Sequence, residues 1–468
     1  MTKTINGDAG TKRFVLIVAT IAAFLTPFGI SSVNIALPSI GKEFRMDAIL
    51  LSWVTTVYLL VSASVLIPVG KAADIYGRKR IFTYGILIFT IASLGSGISN
   101  SAMMLIFFRI LQGIGAAAIY SIATAILTSV FPSSELGNVL GINLAAAYFG
   151  YSTGPFLGGF LTHQLGWRSI FFVNVFLGLI IISLLLLKVE REWQEAKDEK
   201  IDLTGSIIFS LTILLIIYGF SQVSTMRGVY VVLLGALGMG LFVKWESKVE
   251  HPVLNITLFK NNRVFVFSNL AALIHYGATF AVTFLLSLYL QYIKGLTPEK
   301  AGLILLPQPV MQAVCSPFTG RLSDRVEPGI VASIGMALTA AGICLFTLLT
   351  EETTIAFIVA SLILLGFGFA LFVPPNTNAV MGSVESRFYG VAAGTLGTMR
   401  MMGMALSMGM TILIFSIYIG KVQITPEYYG TFLRTTKLAF TFLAILCFGG
   451  VLASLARGNV RHKGRIND

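Results

Sequence analysis

Fourteen runs of about twenty apolar residues fill this 468-residue sequence, with limits close to 14–36, 50–70, 81–99, 102–124, 137–162, 167–187, 202–220, 229–246, 264–291, 299–320, 328–349, 354–374, 388–416 and 435–456. A backbone inside lipid must satisfy its own hydrogen bonds, so runs of this length predict membrane-spanning α-helices. Hydrophobic residues make up 56% of the chain and charged ones only 12%, about half the charged share of a soluble protein. The expected fold is therefore all-α and polytopic. An even number of spans puts both termini on one side. Lys12 with Arg13, Lys71 to Arg80, Lys244 to Lys260 and Arg457 to Arg465 place that side in the cytoplasm of a plasma or inner membrane. The net charge of +12 thus reads as an orientation signal and a contact for anionic lipids, with no nucleic-acid partner implied. Cys315, Cys344 and Cys447 lie far apart in or beside apolar runs, so no disulfide, metal or cofactor site is expected.

The chain repeats itself. Gly70, Asp74, Gly77, Arg78, Lys79 and Arg80 form a basic turn with one carboxylate after the second run. Gly320, Arg321, Asp324 and Arg325 return at an offset of 250, again closing a run. Gly137-x-x-x-Gly141 opens the fifth run and Gly390-x-x-x-Gly394 the thirteenth, at an offset of 253. The seventh and eighth runs have no counterpart and follow a linker, Lys188–Lys200, whose acids and bases nearly balance. The expected organisation is 1–187 as a six-helix bundle, 188–260 as linker plus inserted pair, and 261–468 as a second six-helix bundle.

The turn Gly70-x-x-x-Asp74-x-x-Gly77-Arg78-Lys79-Arg80 resembles the signature of the major facilitator superfamily of transporters, with Ala72 where leucine is usual. Fourteen spans laid out six, two, six resemble its drug:proton antiporter branch. In the fourth run, Arg109-x-x-Gln112-Gly113-x-Gly115-x-Ala117 resembles the superfamily's fourth-helix motif, whose arginine is linked to proton coupling. A guanidinium at membrane depth must face protein or a wet cavity, or snorkel to the interface. Gly150, Gly154, Pro155, Gly158 and Gly159 resemble the motif of exporters, and small residues four apart let two helices approach closely. The resemblance implies export of small amphipathic compounds by alternating access, coupled to protons, with the repeated basic turns and the fifth-run motif as gating elements. A monomer is expected.

One feature departs from the branch. Where its drug antiporters often carry an aspartate in the first span this chain has Gly29, and no Asp or Glu lies deep in any run. The remaining coupling candidates are Arg109, Gln112, His275 and Arg400, of which His275 alone titrates near neutral pH. A metabolite exporter or facilitator without proton coupling is the alternative. By depth, Phe28, Asn34, Tyr58, Asn143, Tyr276, Gln308, Gln312 and Asn376 are the residues expected around a central cavity for the small-molecule substrate. No clustered catalytic constellation occurs at membrane depth, which argues against an enzyme.

Overall fold

The computed structural model describes residues 9–196, 199–254, 256–260, 262–385 and 389–458. It is helical almost throughout. The first six helices are α1 (Ala9–Phe44), α2 (Ala48–Tyr76), α3 (Arg78–Gly97), α4 (Ala102–Val130), α5 (Ser133–Leu165) and α6 (Arg168–Lys188). The inserted pair is α7 (Leu203–Ser221) and α8 (Met226–Glu246). Then follow α9 (Arg263–Leu288), α10 (Pro298–Leu305), α11 (Pro307–Arg325), α12 (Pro328–Phe346), α13 (Ile355–Gly382), α14 (Tyr389–Tyr418) and α15 (Tyr429–Leu455). Among the described residues thirteen stretches are long and apolar enough to cross a membrane, with α10 and α11 counted as one. The 33-residue α5, packed along α1, is a further long helix that is not among these thirteen.

Two expected boundaries differ. The tenth span breaks at Leu306, because Pro307 and Pro309 cannot donate the amide hydrogen bonds that would continue α10. The ninth span runs on from α9 through a π-helical turn over Tyr289–Ile293.

Packing within α1–α6 is repeated within α9–α15. α1 lies against α5 as α9 lies against α14; α3 crosses α4 as α12 crosses α13; α2 packs on α4 as α11 does on α13. The repetition reaches individual glycines. Gly85 and Gly115 bring α3 and α4 into backbone contact, and Gly335 and Gly368, at offsets of 250 and 253, do the same for α12 and α13. A Cβ on Gly113 would lie 2.7 Å from the Tyr58 carbonyl oxygen, and one on Gly366 would collide with that of Gln308, the counterpart of Tyr58.

The two sets of helices meet along two seams related in the same way, α2 with α14 and α5 with α10. α7 sits over the first. Its Ser210 hydroxyl donates to the Ser64 carbonyl of α2 at 2.9 Å, and Tyr218 packs its ring 5.9 Å from that of Trp53. α8 packs on α7 and turns Leu233, Leu234, Leu237 and Leu241 outward. Such apolar exteriors fit lipid.

Candidate functional site

The bundle has two ends: a terminal end, where α1 begins and α15 finishes, and a far end opposite. The far end is closed. Gln291 Nε2 donates to the Ile35 carbonyl and Ser287 Oγ to the Asn34 carbonyl, each at 2.9 Å. The Ala48 amide donates to Val422 O at 3.1 Å, and His163 Nδ1 lies 3.1 Å from a Glu299 carboxylate oxygen. α5 and α10 touch backbone to backbone: Cβ atoms on Gly159 and Gly302 would collide with the carbonyl oxygens of Pro298 and Pro155. Toward the terminal end α5 exposes Gly141, Ile142 and Ala145, and α11 exposes Ala313, Val314 and Pro317.

Between these ends lies a cavity of about 90 Å³. Its aromatic wall is Tyr148, Tyr151, Tyr276, Phe280 and Phe369, and its polar groups include Ser31, Asn34, Thr279, Gln308 and Gln312. Two faces of α5 explain its place. Gly150, Gly154 and Gly158 press against α1, with a Cβ on Gly158 only 2.7 Å from Ser32 Cα. Tyr148, Tyr151 and Pro155, spaced three and four apart, share another face and line the cavity. Of the residues expected there, Asn34, Tyr276, Gln308 and Gln312 lie in the lining. Phe28 instead stacks on Phe24 at 5.4 Å, and Tyr58 lies inside the first set of helices. Asn376 donates to the Ser268 carbonyl at 3.1 Å, and Asn143 is half-buried on α5 outside the lining. Tyr148 and Tyr151 escaped sequence reading. The available signal was a tyrosine pair three residues apart in a glycine-rich helix.

Arg400 sits on α14 one turn from Met404, which lines the cavity. Its Nη2 donates to Thr377 Oγ1 at 2.9 Å, and its guanidinium carbon is 5.7 Å from the centre of the Tyr276 ring. Tyr120 and Tyr148 adjoin it as well. Its Nε has no partner, and none of the ion pairs among the described residues includes it.

Arg109 is fully buried within the first set of helices and does not snorkel. Its Nε donates to the Val54 carbonyl at 3.0 Å, its Nη1 to Gln112 Oε1 at 2.6 Å, and Gln112 Nε2 to Ser93 Oγ at 2.8 Å. The Tyr58 ring centre lies 4.3 Å from its guanidinium carbon. His275 is equally enclosed, stacked on Phe372 at 4.0 Å with Thr339 Oγ1 3.5 Å from Nε2. Phe369, 4.6 Å away, stands between it and the cavity. His275→Gln is expected to leave transport within about twofold of wild type. It should lower stability by about 1 kcal/mol through the lost stacking. Thermal unfolding and vesicle flux check this; a tenfold fall in flux at normal expression would return His275 to the transport pathway.

The basic turn after α2 is held from below by the linker. Arg78 Nε donates to Asp74 Oδ1 at 2.7 Å and Nη1 to the Ala125 carbonyl at 3.0 Å, and Nη1 also bonds Ser129. Glu195 lies 3.4 Å from the same nitrogen. The Glu192 carboxylate accepts from the amides of Lys79 and Arg80 at 2.7 and 3.1 Å, capping the start of α3. Gly77 has φ +113°, and a Cβ there would sit 2.6 Å from the Glu192 carboxyl carbon, so the position requires glycine. Lys71 pairs with Glu199 at 2.5 Å. The sequence did not show that the linker acids reach this turn. In the second half, Gly320 lies on α11, where a Cβ would meet Pro374 in ordinary contact at 3.9 Å, and Arg321 is exposed. Arg325 ends α11, and the Asp324 side chain lies outside the described residues.

The pattern of the Major Facilitator Superfamily matches residues 19–408 and, a second time, 268–467. The chain belongs to the major facilitator superfamily. This major facilitator chain is similar to the riboflavin transporter RibZ of Clostridioides difficile (strain 630), with 27% identity over 444 residues, 95% of this chain and 97% of that one. It is also similar to the multidrug resistance protein Stp of Mycobacterium tuberculosis (strain CDC 1551 / Oshkosh), with 31% identity over 402 residues, 84% of this chain and 74% of that protein. Among solved structures, a bacterial homologue of the human lysosomal transporter Spinster has a TM-score of 0.70 and 15% identity, covering 96% of this chain and 97% of its own. The protein is accordingly a multi-pass membrane transporter and not an enzyme.

Proposed function

We propose that this transporter exports small amphipathic organic molecules across the plasma membrane by alternating access, with both termini in the cytoplasm. Residues 1–187 and 261–468 act as two lobes that rock about the cavity, and 188–260 supplies the linker and lateral pair. The observation that carries the reading is the α5 strut. Its glycine face lies flush on α1 and its tyrosine face opens on the cavity, while Pro155 and Gly159 meet the backbone of α10 in the other lobe at the far end. A helix so placed belongs to one lobe and closes against the other. The multidrug resistance relative supports export.

The energy source has two readings. Proton antiport is what the resemblance to drug antiporters implies. Export without proton coupling is favoured by Gly29, where a Cβ would meet Asn174 Nδ2 at 3.3 Å and Phe89 at 3.6 Å. The place of the antiporter aspartate thus holds no carboxylate and is turned into its own lobe. Reconstituted vesicles with an imposed pH gradient and clamped potential separate these. Flux that follows the gradient supports antiport, and carrier-dependent flux indifferent to it supports uncoupled export. No carrier-dependent flux of any amphipathic compound overturns the proposed export.

Gating makes a further prediction. Asp74→Asn removes the charge that orients Arg78 between α2, α4 and the linker. Turnover is expected to fall about tenfold, the equivalent of one charge-assisted bond of about 1.4 kcal/mol in the barrier. Substrate affinity should stay within about twofold. An Asp74→Asn protein with wild-type turnover would remove this turn from the gate.

A further inference from the structure

The cavity has an electrostatic character that export alone does not specify. Resting on that export reading, we propose that the transported class is planar aromatic anions, drawn in by Arg400 and held between the cavity tyrosines. Arg400 lies one turn from Met404 of the cavity lining, on the side toward the terminal end, with its guanidinium carbon 5.7 Å from the Tyr276 ring of the wall. The guanidinium is engaged by Thr377 and by the Tyr120 side chain, and Nε has no protein partner. Tyr276 and Tyr148, which lie beside it, also form the cavity wall, so a ring stacked on them brings an attached carboxylate or phenolate within reach of the guanidinium. Gln308 and Gln312 add donors and acceptors for ring substituents, and Phe280 and Phe369 complete an aromatic enclosure.

The acids missing from the membrane runs complete the argument. A site for organic cations needs a carboxylate or an unopposed aromatic cage, and here no Asp or Glu lies deep in any span while a guanidinium lies beside Tyr276 of the cavity wall. In a low-dielectric chamber that charge repels a cation and offsets the desolvation of an anion. An anion leaving a cytoplasm that is electrically negative also runs down the membrane potential, gaining about fiftyfold per charge per 100 mV. Such a substrate requires no titrating group in the pathway.

The test uses two dyes with one xanthene ring system and opposite charge, fluorescein and rhodamine 123, titrated onto the purified full-length protein. Fluorescein is expected to bind at least tenfold more tightly. Arg400→Gln should erase that preference, whereas Arg400→Lys keeps most of it because the charge remains. Should Arg400→Gln fail to fold, the wild-type preference and the lysine variant still decide. Equal or tighter binding of rhodamine 123 overturns the proposal, and so does binding of neither dye. Vesicle flux separates this inference from the export reading. Carrier-dependent flux of rhodamine 123 without fluorescein sinks the anion assignment and leaves export standing. Arg400-dependent fluorescein binding without any flux supports the anion site and sinks export.

Discussion

Gly302→Val is expected to stop transport while leaving the protein folded. Gly302 lies on α10 against the backbone of α5, where a Cβ would sit 2.8 Å from the Pro155 carbonyl carbon and 3.3 Å from Phe156 Cα. Backbone cannot rotate aside as a side chain can, so the two helix ends must part. Overpacking of this kind costs about 1–3 kcal/mol. The cost falls on the arrangement in which the far end is closed and is relieved when the lobes separate there. Each 1.4 kcal/mol is tenfold in a two-state ratio, so the balance shifts about tenfold to a hundredfold toward the far-open arrangement. Transport should drop at least tenfold with little change in the unfolding midpoint. A Gln308→Cys reporter, in a background without Cys315, Cys344 and Cys447, should then react with an impermeant thiol reagent from the far side. Normal turnover in Gly302→Val would mean that this seam does not move.

The second large effect is on stability. Arg109→Ala should cost about 3 kcal/mol, since it leaves Gln112 Oε1 unpaired inside the first lobe and opens a void beneath Tyr58. Replacing both polar partners should cost less than replacing one, because Gln112 Oε1 is then no longer left orphaned. Arg109→Met combined with Gln112→Leu is therefore expected to recover to within about 1 kcal/mol of wild type. Denaturation in detergent measures both. A stable Arg109→Ala protein would show that Val54 O, Gln112 and Ser93 do not depend on the guanidinium.

Helix number and order were legible because lipid admits few alternatives: runs of this length must be helices, and the offset of 250 to 253 that pairs the basic turns also pairs Gly85 with Gly335 and Gly115 with Gly368. The cavity was legible only in part. Depth along a run says how far a residue lies from the surface, not which way it points. Tyr58 and Gln308 occupy matching positions in the repeat, yet Gln308 lines the cavity while Tyr58 lies under Arg109. Lone polar groups such as Asn376 and His275 turned out to meet partners within their own lobe. The linker was opaque for another reason. Glu192 and Glu195 find partners more than 100 residues earlier in the chain, and near-balanced charge in sequence gives no hint of where each carboxylate goes.

The position of α7 makes the molecule lopsided toward its solvent. A compound dissolved in the bilayer and drifting sideways meets a shutter along the α2–α14 join, where Ser210 and Tyr218 fasten the added helix. Along the α5–α11 join it meets Val310 and Val314, bare to the hydrocarbon. The extra pair thus covers one join and leaves the other uncovered, a handedness that two bundles alone would lack.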